Sequence, residues 1–197
     1  MSSVTAERSY HHGDLARALV DAALARLRDG GGDAVALRRV AADVGVSPAA
    51  AYHHYAGKEA LLGAVAAEAE RRFAAALQAG LDAVPSDDAD PVRSRLQALG
   101  RAYLRFAVEE PDLLRLVFDP AHAEACLDPA RGSAALLRGC VEDLARAGRL
   151  SLPVDQAATL AWSAVHGFAD LQAAGAVPAE GADDLLGTVL DALIASR

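Results

Sequence analysis

Apolar residues recur along most of this chain at spacings of three and four, the period that gathers them on one face of a helix. Nowhere do they alternate at period two over the length of a strand, and valine is scattered rather than clustered. Leu15, Leu19, Ala22, Ala23 and Leu27 form a first stripe, which predicts a helix capped by Asp14 and running to about Arg28, where Gly30, Gly31 and Gly32 end it. Leu37, Val40, Ala41 and Val44 mark a short second helix. Gly45 stops it, because glycine enters the left-handed conformation after a helix without a Cβ penalty. Ser47 can then cap the exposed amides of a third helix, and Pro48 suits its first position, where no backbone donor is needed. About three residues separate these two short helices, the proportion of a helix-turn-helix, in which the second helix enters the major groove of DNA.

The same reading continues downstream. Leu61, Leu62, Val65, Ala69, Phe73 and Leu77 predict a long helix from Lys58 to about Leu81, a connector between two parts of the molecule. The stretch from Asp82 to Pro91 carries two prolines and four acids and is expected to be a loop. Pro91 opens a helix bearing Leu96, Leu99, Tyr103 and Phe106, and Pro111 ends it and opens a shorter one through Phe118. After a break from Pro120 to Pro129, helices are expected from Ala130 to Ala147, from Val154 to Ala174, and from Ala182 to Ala195. The fold class is therefore all-α. It divides into an N-terminal three-helix unit over residues 10–57, with its motif at 37–55, and a helical body over 58–197.

Composition narrows the classes. With 197 residues, 53% of them apolar, the chain can bury a sizeable core, and 23% charged content excludes a disordered polymer. No apolar run reaches the ~18 residues that suggest a transmembrane helix. The opening MSSVTAERSY lacks the apolar core of a secretory signal, so a cytoplasmic location without a membrane partner is expected. Cys126 and Cys140 have neither metal-ligand spacing nor a disulfide framework and read as small packing residues. The net charge of −8 is unexpected for a nucleic-acid binder, yet it is unevenly spread. Residues 1–58 are +1 and hold four of the six histidines, His11, His12, His53 and His54, while residues 59–197 are −9.

These residues carry a family resemblance. The opening YHHGDLARALVDAALARL and the segment VAADVGVSPAAAYHHYAGKEALLGAV resemble the first helix and the recognition segment of the TetR/AcrR family of transcriptional regulators, over about residues 10–70. The order of Ala41, Gly45, Val46, Ser47, Tyr52, Tyr55 and Lys58 makes the likeness specific. Trp162, His166 and Gly167 resemble the Trp-His-Gly signature of one subgroup's C-terminal domain. The sequence departs from the family pattern at Ala36, where a Ser or Thr cap is common, at Ala49, where Gly is common, and at Ala51, where a larger apolar residue or Pro is common. The resemblance implies a homodimeric repressor that binds a palindromic double-stranded operator through residues 10–57. Residues 58–197 then form an effector-binding and dimerisation domain. The last two helices, with wide faces of small residues, are the expected pairing surface across a two-fold axis.

Phosphate contacts set register and base contacts supply sequence information, so the two roles are assigned separately. Lys58, the chain's one lysine, opens the connector helix, where its ammonium can join backbone amides around a phosphate. Tyr52 and His54 match family positions that touch the DNA backbone, Arg38 can reach a guanine edge or a phosphate, and Ser47 lies beside them at the helix cap. Pro48, Ala49, Ala50 and His53 are expected near bases; only His53 offers a hydrogen bond, so DNA shape should carry some of the specificity. Tyr52 and Tyr55 also suit simple core packing, which is the better reading for Tyr55. Adjacent His53 and His54 project about a hundred degrees apart, which is poor geometry for a metal, and no metal or other cofactor is expected. His11 and His12 read as a solvated arm or a helix entry.

In the body, Phe73, Tyr103, Phe106, Phe118, Trp162 and His166 read either as the lining of a pocket for a small hydrophobic effector or as ordinary core. No catalytic residues are assigned: the chain shows no glycine-rich phosphate loop, no framed Ser or Cys nucleophile and no HxxxH pair. The alternatives to a regulator are an enzyme or a small-molecule-binding helical protein, neither of them binding DNA.

Overall fold

The structure, a computed structural model, describes residues 12–122, 126, 128 and 130–194, including all their side chains but those of 12–14 and 33. Nine helices occur among the described residues: α1 (His12–Ala34), α2 (Leu37–Val44), α3 (Pro48–His54), α4 (Lys58–Asp82), α5 (Pro91–Glu109), α6 (Pro111–Val117), α7 (Gly132–Arg146), α8 (Val154–Ala173) and α9 (Ala182–Asp191). The all-α expectation holds. Extended pairing among these residues is confined to one antiparallel bridge between Leu150 and Ile194. His11, and the side chains of His12 and Asp14, lie outside the described residues.

The chain forms two compact units, one ending at Glu68 and the other starting at Ala69, with α4 contributing residues to both. In the first unit the core is supplied by Leu19, Ala23, Leu24 and Leu27 of α1, Leu37, Val40 and Ala41 of α2, Ala51 of α3, and Leu61 and Val65 of α4. The opening turns of α4 thus add to a core that three short helices could scarcely fill. Backbone angles depart from helical values at Gly30 and Gly31, close to the expected end of the first helix. Its beginning differs from expectation: α1 starts at His12, so Asp14 lies within the first turn rather than at the cap.

In the second unit α5 is central, packing against α6, α7, α8 and α9. Its buried face, Leu96, Leu99, Tyr103 and Phe106, is the stripe seen in the sequence. The last helix ends at Asp191, earlier than its apolar pattern suggests. Beyond it the amides of Leu193 and Ile194 bond three residues back, to Leu190 and Asp191, and Ile194 turns to pair with Leu150. Asp191 itself is held by the guanidinium of Arg93 and the amide of Gln97, both on α5.

Candidate functional site

Local chemistry builds the helix-turn-helix as the sequence suggests. Gly45 sits at φ 77°, ψ 27°, its amide donates to Ala42 O at 3.1 Å, and Val46 donates to Ala41 O at 2.9 Å, closing the end of α2. Ser47 Oγ accepts from the Ala50 amide at 3.2 Å, and Pro48 occupies the first position of α3. At the start of α2 the departure from the family pattern is visible, because Ala36 is extended and supplies no side-chain cap.

One residue decides how α3 presents itself. Ala51 is its single buried position, fully enclosed, so the helix rests on the core by this methyl group. Pro48, Ala49, Tyr52 and His53 are consequently exposed, Tyr52 at 45%, with Ala50 and His54 at the margins. The residues expected to meet DNA in this helix therefore share one outward surface. The His53 and His54 rings stand edge to face, centroids 5.8 Å apart. Arg38 and its neighbour Arg39 are exposed on α2, and half-buried Lys58 is the first residue of α4. Tyr55 faces inward: its hydroxyl donates to the Ala16 carbonyl of α1 at 3.2 Å.

The acidic residue of the motif is neutralised. Arg26 of α1 grips both carboxylate oxygens of Asp43, one through Nε and one through Nη2 at 2.8 Å. Those hydrogen bonds hold Asp43 below the usual carboxylate range. The surface near α3 therefore keeps the positive charge of Arg38 and Arg39 without an opposing free carboxylate at Asp43.

In the second unit the six aromatic or imidazole side chains singled out in the sequence form one cluster. Phe73 meets Tyr103 edge to face at 5.2 Å, Phe106 at 5.1 Å and Phe118 at 6.5 Å between ring centroids. Phe118 in turn lies 5.7 Å from Trp162 and 4.5 Å from His166. Tyr103 and His166 are joined by a hydrogen bond of 2.5 Å between the hydroxyl and Nδ1. Burial, and then the nearby charge of Asp170, push the Tyr103 hydroxyl far above its ordinary pKa. The hydroxyl therefore keeps its proton, and it donates to Nδ1 when the imidazole carries its proton on Nε2.

Phe73, Tyr103 and Trp162 line a small cavity with Leu96, Leu99, Leu137 and Val165, whereas Phe106, Phe118 and His166 are absent from its wall. About 20 Å³ of it is open to a water molecule. A larger concavity of about 830 Å³, by the end of α4, is open to solvent and mixed in charge, with Asp88, Glu109, Asp183 and Asp184 beside Arg101 and Arg105. The small cavity is the one on which the aromatic cluster converges.

Glu70 and Ser133 were missed by the sequence reading. Ser133 lines the cavity and is fully buried, and its amide and hydroxyl both donate to the Glu70 carboxylate. A signal existed in the chain, since Glu70 interrupts the buried stripe of Ala66, Phe73 and Leu77 at helical spacing.

Two family models match the chain, "Bacterial regulatory proteins, tetR family" over residues 19–65 and "Tetracyclin repressor-like, C-terminal domain" over residues 96–195. The chain belongs to the TetR family. This TetR-family chain is a DNA-binding transcriptional regulator, with its helix-turn-helix inside the first match. No curated protein matches it in sequence. Among solved structures, a protein of unknown function from Rhodococcus sp. RHA1 is 31% identical, with a TM-score of 0.79, covering 95% of this chain and 97% of that one. A TetR family transcription regulator from Marinobacter aquaeolei VT8 is 21% identical, with a TM-score of 0.66, covering 92% of this chain and 96% of that one. RolR in complex with resorcinol is 17% identical, with a TM-score of 0.66 and coverage of 96% and 92% respectively. At these lower identities the likeness is one of fold.

Proposed function

We propose that this TetR-family regulator is a ligand-responsive repressor, acting as a cytoplasmic homodimer on a palindromic operator. The observation that carries the reading is the exposed face of α3, on which Pro48, Ala49, Tyr52 and His53 stand together because Ala51 alone is buried. Residues 10–57 serve as the DNA-binding domain and 58–197 as the effector-binding and dimerisation domain. Pro48, Ala49, Ala50 and His53 approach bases, while Tyr52, His54, Ser47 and Lys58 hold the backbone and Arg38 reaches a base edge or phosphate. The protein acts by binding rather than by catalysis.

Dimerisation is supported by Leu160 and Leu171 of α8 and Leu185 of α9, which are exposed large apolar residues. Leu160 and Leu171 are eleven positions apart, close to three helical turns, so they share one stripe. A two-fold dimer presents two copies of α3 on the order of 35 Å apart, one turn of DNA. Effector binding then favours a spacing that no longer fits adjacent grooves, and operator and effector antagonise each other reciprocally. The aromatic cluster around Phe73, Tyr103, Phe106, Phe118, Trp162 and His166 supports an apolar effector site. Among the described residues no helix is long and apolar enough to cross a membrane.

A gel-shift series on the DNA upstream of the protein's own gene tests the reading. A sequence-preferring complex that weakens with salt is expected. Equal affinity for operator and scrambled DNA of the same length would overturn it.

A further inference from the structure

We propose that the effector is an uncharged molecule with a flat apolar ring and a hydrogen-bond acceptor, and that Trp162 Nε1 donates to this acceptor. The proposal rests on the ligand-responsive reading above and specifies the chemistry of that site.

Trp162 Nε1 is the buried side-chain nitrogen or oxygen that lacks a hydrogen-bond partner among the described residues. Such a donor loses its bond to water on folding and gains nothing in exchange, so an acceptor brought to it is favoured. The other polar groups at this place are already engaged. The Tyr103 hydroxyl is committed to His166 Nδ1, and both donors of Ser133 are committed to Glu70. The residues lining this cavity therefore include one unspent donor, Trp162 Nε1.

Charge is excluded by the surroundings. No Asp, Glu, Lys or Arg side chain lines the cavity, so a ligand ion would be desolvated without a partner. An anion would also stand near the Glu70 carboxylate, one residue behind the Ser133 wall. The remaining wall consists of the rings of Phe73, Tyr103 and Trp162 with aliphatic side chains, a lining that suits edge-to-face contact with another ring. In this conformation the cavity admits about one water, so a ring enters only as side chains move aside.

Trp162 is the chain's one tryptophan, so the emission of the full-length protein reports on this site. The probes are acetophenone, cumene, which keeps the ring and branch but has no acceptor, and benzoate, which carries a charged one. At neutral pH acetophenone should saturate the emission change and bind about tenfold more tightly than cumene, the worth of one neutral hydrogen bond. Benzoate should bind at least a hundredfold more weakly than acetophenone, on the order of the penalty for an unpaired buried charge. By calorimetry, Trp162→Phe should bring the ratio of acetophenone to cumene affinity down to about one, whatever the change in ring packing does to both. Equal affinity for acetophenone and cumene, benzoate binding as tightly as either, or no saturation by any probe overturns the proposal. Gel shifts with the same probes separate the two readings. Selective binding that leaves the operator complex intact upholds the ligand chemistry and removes the ligand-responsive repressor. Operator binding with no selectivity among the probes does the reverse.

Discussion

The Glu70 carboxylate accepts the backbone amide of Ser133 at 2.8 Å and the Ser133 hydroxyl at 3.2 Å, so an acid on α4 caps the N-terminus of α7. The first turn of any helix leaves amides without intrahelical partners. Here Arg131, the local cap residue, makes no side-chain bond to them. Gly132 makes the approach possible: it lies at φ +61°, and a Cβ there would collide with Glu70 Oε1. Gly132→Ala should therefore destabilise the protein by about 2–4 kcal/mol, from left-handed strain together with a displaced buried carboxylate. Urea denaturation checks this, and the same change made in a Glu70→Ala background should cost less, because the two positions are in contact.

Burial holds the Glu70 carboxyl above its ordinary value of 4.5, while the two Ser133 bonds pull it partway back. The folded state thus binds this proton more tightly than the unfolded chain. The group's contribution is fully present below 4.5 and is lost as pH rises through the raised folded value, after which it is constant. Glu70→Gln has no proton to lose. The difference between its urea midpoint and that of the parent protein, followed from acid to neutral pH, should shift in favour of the variant as pH rises from 4.5 through the raised folded value and then level off.

Operator binding should respond differently to the two kinds of contact residue. Removing the charge in Lys58→Met, or in Arg38→Ala where Arg38 meets a phosphate, should flatten the salt dependence by about two counterions per dimer, one for each protomer. Tyr52→Ala should cost about 1 kcal/mol in each half-site, on the order of 30-fold over both, at every salt concentration. Fluorescence anisotropy across a salt series distinguishes these outcomes.

The exposed stripe on α8 makes a separate prediction. Leu171→Glu places a charge in the proposed pairing surface, where its desolvation opposes association. Sedimentation velocity should show the parent as a dimer and the variant as a monomer with unchanged helicity by circular dichroism. The monomer should lose most operator affinity, because two half-sites are no longer engaged together.

Both cysteines are buried, and burial pushes the Cys140 thiol up to about 11 and raises that of Cys126 as well. The thiolate is the reactive form. Neither cysteine should react appreciably with a disulfide reagent in the native protein at neutral pH, and both should react once it is unfolded in guanidinium chloride.

By itself the sequence determined the features that a few neighbouring residues control. Gly45 ends α2 and Ser47 caps α3, while Pro48, Pro91 and Pro111 open helices, since backbone angles and capping bonds act within a turn. The helix-turn-helix was legible for that reason, as was the buried face of α5. The aromatic residues of the second unit were also legible as a set, but not which of them would line a cavity. Tertiary structure decided that Phe73, Tyr103 and Trp162 form its wall and that Phe106 stands behind Phe73. It also decided that Ala51 turns α3 outward, that Arg26 neutralises Asp43, and that the last helix stops at Asp191 rather than near Ala195. The bonds concerned join residues far apart in the chain, 63 positions from Glu70 to Ser133 and 94 from Gln97 to Asp191. Periodicity tells which face of a helix is buried. It carries no record of which distant side chain that face will meet, because that depends on how whole helices pack.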